Sequence, residues 1–173
     1  MTPNIQQVRD HLTLLTGSDK TPVTWQVFYD PKGEAQRPEL ANHFVGTLDD
    51  NLAYFQQAQA SYCGIYVGVN ETDGVGRKKE NVTGYRAVFA DFDGIAEPIW
   101  AIPPHFITRR DETHGHAYWL IDGNVDLETF QQTQMRIAVN SGSDKQVYDP
   151  SRVLRVCGFN HYKNPQSPQQ YSV

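Results

Sequence analysis

Tyr85-Arg86-Ala87-Val88-Phe89-Ala90-Asp91-Phe92-Asp93-Gly94 is the stretch on which the fold turns. It is apolar and strand-like, and it ends in two carboxylates. Alternate side chains of a strand share a face, so Asp91 and Asp93 project the same way, about 7 Å apart along the backbone. Packing alone gives no reason for such a pair. Two carboxylates at one strand end can share a divalent metal, and divalent metals are how many enzymes handle phosphates.

Downstream, Pro103-Pro104 introduces Phe106-Ile107-Thr108, and a turn leads to Ala117-Tyr118-Trp119-Leu120-Ile121; these read as two strands of a hairpin. Asp126 can cap a helix through Leu127, Phe130 and Ile137, ended by Asn140-Ser141-Gly142-Ser143. Upstream, residues 70–83 are polar, hold Gly74, Gly76 and the basic triplet Arg77-Lys78-Lys79, and read as a long exposed loop. Cys63 to Val69 is a short apolar strand. Thr47-Leu48-Asp49-Asp50 resembles a capping box, opening a helix with Leu52 and Phe55 on its apolar face. Residues 30–46 carry Pro31, Gly33 and Pro38 and read as loop. Val23 to Tyr29 alternates like a strand, and Ile5, Val8, Leu12 and Leu15 recur at helical spacing with Gly17 as the stop. Consecutive strands followed by a helix predict an α+β fold, a mixed and largely antiparallel sheet with helices on a face. No repeat or long linker divides the chain, so a single domain over 1–173 is expected. Another strand is expected to start at Gln170-Tyr171-Ser172-Val173, and the chain is expected to be a catalytic core cut from a longer protein.

With 173 residues, 39% apolar and 20% charged, the chain is expected to be globular rather than disordered. No apolar run approaches a membrane span, and no basic region precedes an apolar stretch at Met1, so the chain reads as cytosolic. Cys63 and Cys157 are too few for a disulfide framework and read as reduced core thiols. A formal net charge of −5 argues against coating nucleic acid by charge alone. It leaves room for a local grip, because bound metals would cancel acidic charge at the site.

Two more stretches carry chemistry. In Thr113-His114-Gly115-His116-Ala117-Tyr118-Trp119, His116 opens an apolar strand and so sits at a sheet end. In Asp149-Pro150-Ser151-Arg152-Val153-Leu154-Arg155-Val156-Cys157-Gly158-Phe159-Asn160-His161-Tyr162-Lys163, Arg152 and Arg155 are three apart, one face of a helical turn that Gly158 ends. Asn160 and Lys163 follow in a loop. Taken singly, each has a bland explanation: a structural histidine, a salt-bridged arginine pair, a capping Asp-x-Asp. Their order along the chain is what gives them force.

That order resembles the archaeo-eukaryotic primase superfamily, in its RepB-like and phage primase-polymerase branch. The likeness runs from about Gly76 to Asn164 as three separate motifs. Asp91 and Asp93 match the family's Asp-x-Asp, and His116 its histidine motif, with Tyr118-Trp119 in the following strand. Asp149, Arg152, Arg155, Gly158 and Asn160 match Asp-x-x-Arg-x-x-Arg-x-x-Gly-x-Asn. Gly76-Arg77-Lys78, followed by Glu80-Asn81-Val82, looks like the lead-in of this branch. Two positions depart from the pattern: Glu112-Thr113-His114-Gly115 stands where a Ser-Gly-rich turn is common, and Cys157 where a proline is common.

The resemblance implies an RRM-like primase-polymerase core with flanking helices. It also implies a nucleotidyltransferase that extends a primer strand from nucleoside triphosphates on a single-stranded DNA template in plasmid or phage replication. Its cofactors would be two Mg²⁺ or Mn²⁺ ions about 4 Å apart. Asp91 and Asp93 would bridge both, with Asp149 completing one. His116 would donate to the triphosphate. Arg152, Arg155 and Lys163 would neutralise phosphate, Asn160 belongs to the same nucleotide-binding set, and Arg77 would reach template or triphosphate from its loop. The alternative for Arg155 is a buried structural pair with an Asp of the sheet. Any replicative helicase partner would lie outside these residues, since Gly17-Ser18-Asp19-Lys20-Thr21 lacks the glycines of a nucleotide-motor loop.

Two other functions compete. A replication-initiator nuclease would use His114 and His116 on one metal and a nucleophilic tyrosine such as Tyr29, but it leaves Asp91, Asp93 and the Arg152 segment unused. A non-catalytic single-strand-binding module would stack bases on sheet aromatics and leave the acids unexplained.

Overall fold

The computed structural model describes residues 1–144 and 147–173. In chain order the elements are α1 (Ile5–Thr16), β1 (Val23–Tyr29), β2 (Asn42–Gly46), α2 (Leu48–Ala60), β3 (Cys63–Gly68), β4 (Glu71–Thr72), β5 (Val82–Gly84), β6 (Ala87–Asp93), β7 (Phe106–Asp111), β8 (His114–Leu120), α3 (Leu127–Ser141), β9 (Val153–Arg155), β10 (Asn160–His161) and β11 (Gln169–Gln170). The fold is α+β, and every strand pairing among the described residues is antiparallel. No described helix is long and apolar enough to cross a membrane. The chain forms two compact units, Met1–Gly68 with Val153–Ser172, and Val69–Arg152 with Val173.

The first unit is built on the sheet β2-β1-β3-β9, with the ribbon β10-β11 beside it in the chain. Its core holds Trp25, Val27, Ile65 and Val67 from the strands and Val8, Leu12, Leu48 and Phe55 from the helices. Both helices start on the residues that capping chemistry favours. Asn4 accepts from the Gln7 N–H, and Thr47 from the Asp50 N–H. Gly17, at φ 85°, closes α1.

The second unit holds the sheet β6-β8-β7 and the short ribbon β4-β5. β6 is an edge strand, and α3 packs on it. The side-chain amide of Gln134 works like a further strand. It accepts from the Phe89 N–H at 2.7 Å and donates to the Phe89 carbonyl at 2.8 Å. The Asp144 N–H donates to the Asp91 carbonyl at 3.0 Å.

Three expectations are corrected. Residues 30–46 are not all loop: β2 pairs with β1 from Val23↔Gly46 to Val27↔Asn42. Of its five residues none is fully buried, so it carries no apolar pattern to announce it. Residues 70–83 include the β4-β5 ribbon, whose connecting turn is held by polar contacts such as Asn81 Nδ2 to Asp73 Oδ2 at 3.0 Å. Arg152 and Arg155 do not share a helical turn. Val153–Arg155 is extended and pairs with β3 through Tyr66↔Arg155 and Gly68↔Val153. Residues three apart in extended chain point to opposite faces. The terminal strand falls at Gln169–Gln170, slightly earlier than expected.

Candidate active site

Along β6 the side chains from Ala87 to Ala90 are buried, Asp91 is partly exposed, Phe92 is buried and Asp93 is exposed. The acids therefore stand where the apolar strand runs out, on the face opposite Phe92. Register with β8 puts His116 across from Asp91 and His114 across from Asp93. β7 then adds Thr108 beside His116 and Asp111 beside His114. Directly opposed residues in an antiparallel pair share a face. Two rows result, Asp91–His116–Thr108 and Asp93–His114–Asp111.

The rows differ in tightness. His116 is buried; its Nδ1 lies 3.1 Å from Thr108 Oγ1, and its Nε2 stands 3.9 Å from Asp91 Oδ1, too far for a hydrogen bond. His114 is gripped on both sides, with Nε2 2.6 Å from Asp93 Oδ1 and Nδ1 2.8 Å from Asp111 Oδ1. Burial would raise the Asp111 carboxyl, but bonds from His114, Thr113 and Arg110 outweigh it and hold that group well below the usual carboxylate range. Gly115 separates the histidines because nothing larger fits: an added Cβ would come within 2.4 Å of the Phe92 ring and 2.5 Å of the Thr108 carbonyl. The initiator-nuclease arrangement needs both imidazoles turned onto one ion, whereas here they face Asp93 and Asp111, and Thr108.

Just after α3, Asp144 returns to β6. Asp144 bonds the Asp91 carbonyl, and the Gln134 amide joins the Val147 and Phe89 carbonyls. Asn70 donates to the Pro150 carbonyl at 3.0 Å and accepts from the Arg86 N–H at 2.9 Å. Asp149 is exposed in the turn that follows, where its Oδ1 accepts from the Ser151 N–H and hydroxyl, both at 2.9 Å. Arg77 feels its charge: burial lowers the Arg77 guanidinium from its usual value, and Asp149 opposes the change. Arg152 Nη2 lies 3.5 Å from Asp144 Oδ2. Among the described residues, no three His, Cys, Asp or Glu side chains are gathered as a metal cage. Asp91 and Asp93 are thus brought together with His116, while Asp149 sits with Arg77 and Ser151.

Arg155, Asn160 and Lys163 belong to the first unit. Arg155 makes the structural pair, with Asp30 just after β1. Asn160 is buried and fully engaged. Its Nδ2 donates to the Met1 carbonyl and Tyr162 hydroxyl, and its Oδ1 accepts from Gln170. Lys163 is exposed. Gly158 has φ 81°, and a Cβ there would come within 2.1 Å of the Asn4 carbonyl, so the motif glycine lets α1 dock. The gripping roles of His114 and Asp111 went unread in the sequence. A partial signal was present: Asp-x-Asp and His-x-His on adjacent antiparallel strands pair two by two when the register lets them.

Neither a protein-family model nor a curated protein matches the sequence. Solved structures do match. The primase-polymerase domain of cyanophage S-2L superposes with a TM-score of 0.73 at 21% identity, over 100% of this chain and 91% of that one. This chain has the primase-polymerase fold. The catalytic domain of the primase RepB′, solved in complex with initiator DNA, gives a TM-score of 0.62 at 11% identity, over 96% of this chain and 82% of that one. A longer RepB′ structure gives 0.63 at 11% identity, over 98% of this chain and 55% of that one. The primase-polymerase fold is thus kept at identities where sequence comparison is silent.

Proposed function

We infer that the chain is the catalytic domain of a template-directed nucleotidyltransferase, a DNA primase-polymerase acting in plasmid or phage replication. One observation carries this: on a primase-polymerase fold, Asp91 and Asp93 alternate at the end of β6 with an imidazole opposite each. The setting would be the cytoplasm of a bacterium or an infected host.

The donor set fits Mg²⁺ or Mn²⁺. Mg²⁺ takes one or two carboxylates and fills its remaining positions with water and substrate phosphate oxygens. An open pair of acids suits that habit, whereas zinc asks for three or four protein ligands. Asp91 and Asp93 would hold the ions, joined by Asp149. When bound, the ions would activate the attacking 3′-hydroxyl and neutralise the leaving pyrophosphate. The protein's own part is positioning. Asp111 and His114 hold Asp93. His116, steadied by Thr108, presents Nε2 on the acids' face, where it would donate to a triphosphate oxygen. Arg77 and Arg152 would neutralise phosphate.

Primer extension on a single-stranded template, with nucleoside triphosphates and Mg²⁺ or Mn²⁺, tests this. Product is expected from the wild-type chain and none from Asp91→Asn, which should still melt cooperatively. A covalent tyrosine–DNA adduct without extension would indicate the initiator nuclease instead.

A further inference from the structure

We propose that Tyr62, flanked by Lys32 and Lys163, is a base-stacking seat for single-stranded DNA. The proposal rests on the function above for the kind of strand, but all of its residues belong to the first unit.

Tyr62 follows α2 where a helix commonly hands over to glycine or asparagine, because the chain there turns left-handed. Its φ is 59°, and it is the one non-glycine with positive φ among the described residues. Backbone bonds hold the turn whatever the side chain: the Tyr62 N–H donates to the Gln59 carbonyl, and the Tyr62 carbonyl accepts from the Asp30 N–H. Burial does not fully account for Tyr62, a residue that is 47% exposed. A large aromatic kept in an unfavourable turn and left in water calls for a binding explanation.

The ring has a firm backing. Tyr162 meets it edge-on, with centroids 5.4 Å apart and planes at 83°. Tyr162 is itself buried and fixed, its N–H donating to Asp30 Oδ2 at 2.7 Å and its hydroxyl accepting from Asn160 Nδ2 at 2.8 Å. Next to it, the Lys32 N–H donates to the Lys163 carbonyl at 3.1 Å, which sets two exposed lysines side by side. Neither forms an ion pair among the described residues. An exposed ring on a rigid support beside two uncommitted cations is complementary to a strand with open base faces and a phosphate backbone. A duplex hides those faces.

Fluorescence anisotropy with the whole chain and a labelled oligothymidine, without metal or nucleotide, tests the seat. Tyr62→Gly should weaken binding by roughly five- to a hundredfold, as loss of one stacked base does. Its melting midpoint should hold or rise, because glycine suits this φ. Tyr62→Phe should bind like the wild type. An abasic strand of equal length should bind wild type and Tyr62→Gly alike. Replacing Lys32 and Lys163 by alanine should flatten the log–log salt slope by about 1.4. Unchanged oligothymidine binding by Tyr62→Gly, an equal loss on the abasic strand, or a loss seen only with a free nucleoside triphosphate would overturn the proposal. A chain that binds as described yet never extends a primer keeps the seat and loses the polymerase. One that extends primers while Tyr62→Gly binds normally does the reverse.

Discussion

Arg155 lays its guanidinium across the carboxylate of Asp30, with Nη2–Oδ1 at 2.6 Å and Nη1–Oδ2 at 3.0 Å. The side chains are 12% and 5% exposed, and the Tyr66 ring lies 4.6 Å from the guanidinium carbon. Asp30 also accepts from the Tyr162 N–H, so one carboxylate joins the end of β1 to β9 and to the segment after β10. Removing either partner strands a buried charge. Asp30→Ala and Arg155→Ala should each cost about 3–5 kcal/mol in denaturant unfolding, while Asp30→Leu with Arg155→Met should cost far less.

The acid pair should behave oppositely. Asp91→Asn and Asp93→Asn should each lower nucleotide transfer by on the order of a hundredfold or more. Asp91→Asn should leave the midpoint unchanged or higher, because it removes one of two neighbouring like charges, whereas Asp93→Asn also takes the charged partner from His114 and should lower it slightly. Single-turnover primer extension and thermal melting, run on the same preparations, check this.

His11 makes the first unit sensitive to mild acid. It is fully buried, and burial lowers its imidazole from 6.5 to about 4. Its Nδ1 accepts from the Cys157 N–H at 3.2 Å, which requires that nitrogen to be unprotonated. Since the folded value lies below the unfolded one, the unfolded chain binds the proton first. Stability should be full above about pH 6.5 and fall by about 3 kcal/mol as pH drops towards 4. Urea unfolding across this window should show the slope in the wild type and a shallower one in His11→Gln.

Asp111 responds in a lower window. Its carboxyl is held below its unfolded value, so its contribution is present above about pH 4 and is lost as pH falls through the folded value. The stability gap between wild type and Asp111→Asn should be constant near neutrality and close in strong acid.

Gly115→Ala should cost about 1–3 kcal/mol, because the new methyl meets the Phe92 ring and the Thr108 carbonyl. It should also impair transfer by disturbing both histidine rows. A variant that is fully stable and fully active would show that the β6-β8-β7 spacing adjusts freely.

Much of this was legible in the chain. Periodicity and caps placed α1, α2 and α3, and the apolar run ending at Asp91 and Asp93 placed β6. What escaped is what local pattern does not encode. β2 and the β4-β5 ribbon are stabilised by backbone pairing and polar turns, without an apolar stripe. Arg155 has its partner 125 residues away at Asp30, so spacing within its own segment misled. The grip of His114 on Asp93 depends on cross-strand register, which two neighbouring motifs hint at but do not spell out.

The amide of Gln134 has one last consequence. An uncovered strand at a sheet margin is a template on which another molecule's backbone can zip, the usual route to aggregation. β6 occupies such a margin, yet Phe89 is satisfied by Gln134, and the Asp91 carbonyl by Asp144. The acids can thus stand at an accessible rim that offers carboxylates to small, charged visitors while denying foreign chains a foothold.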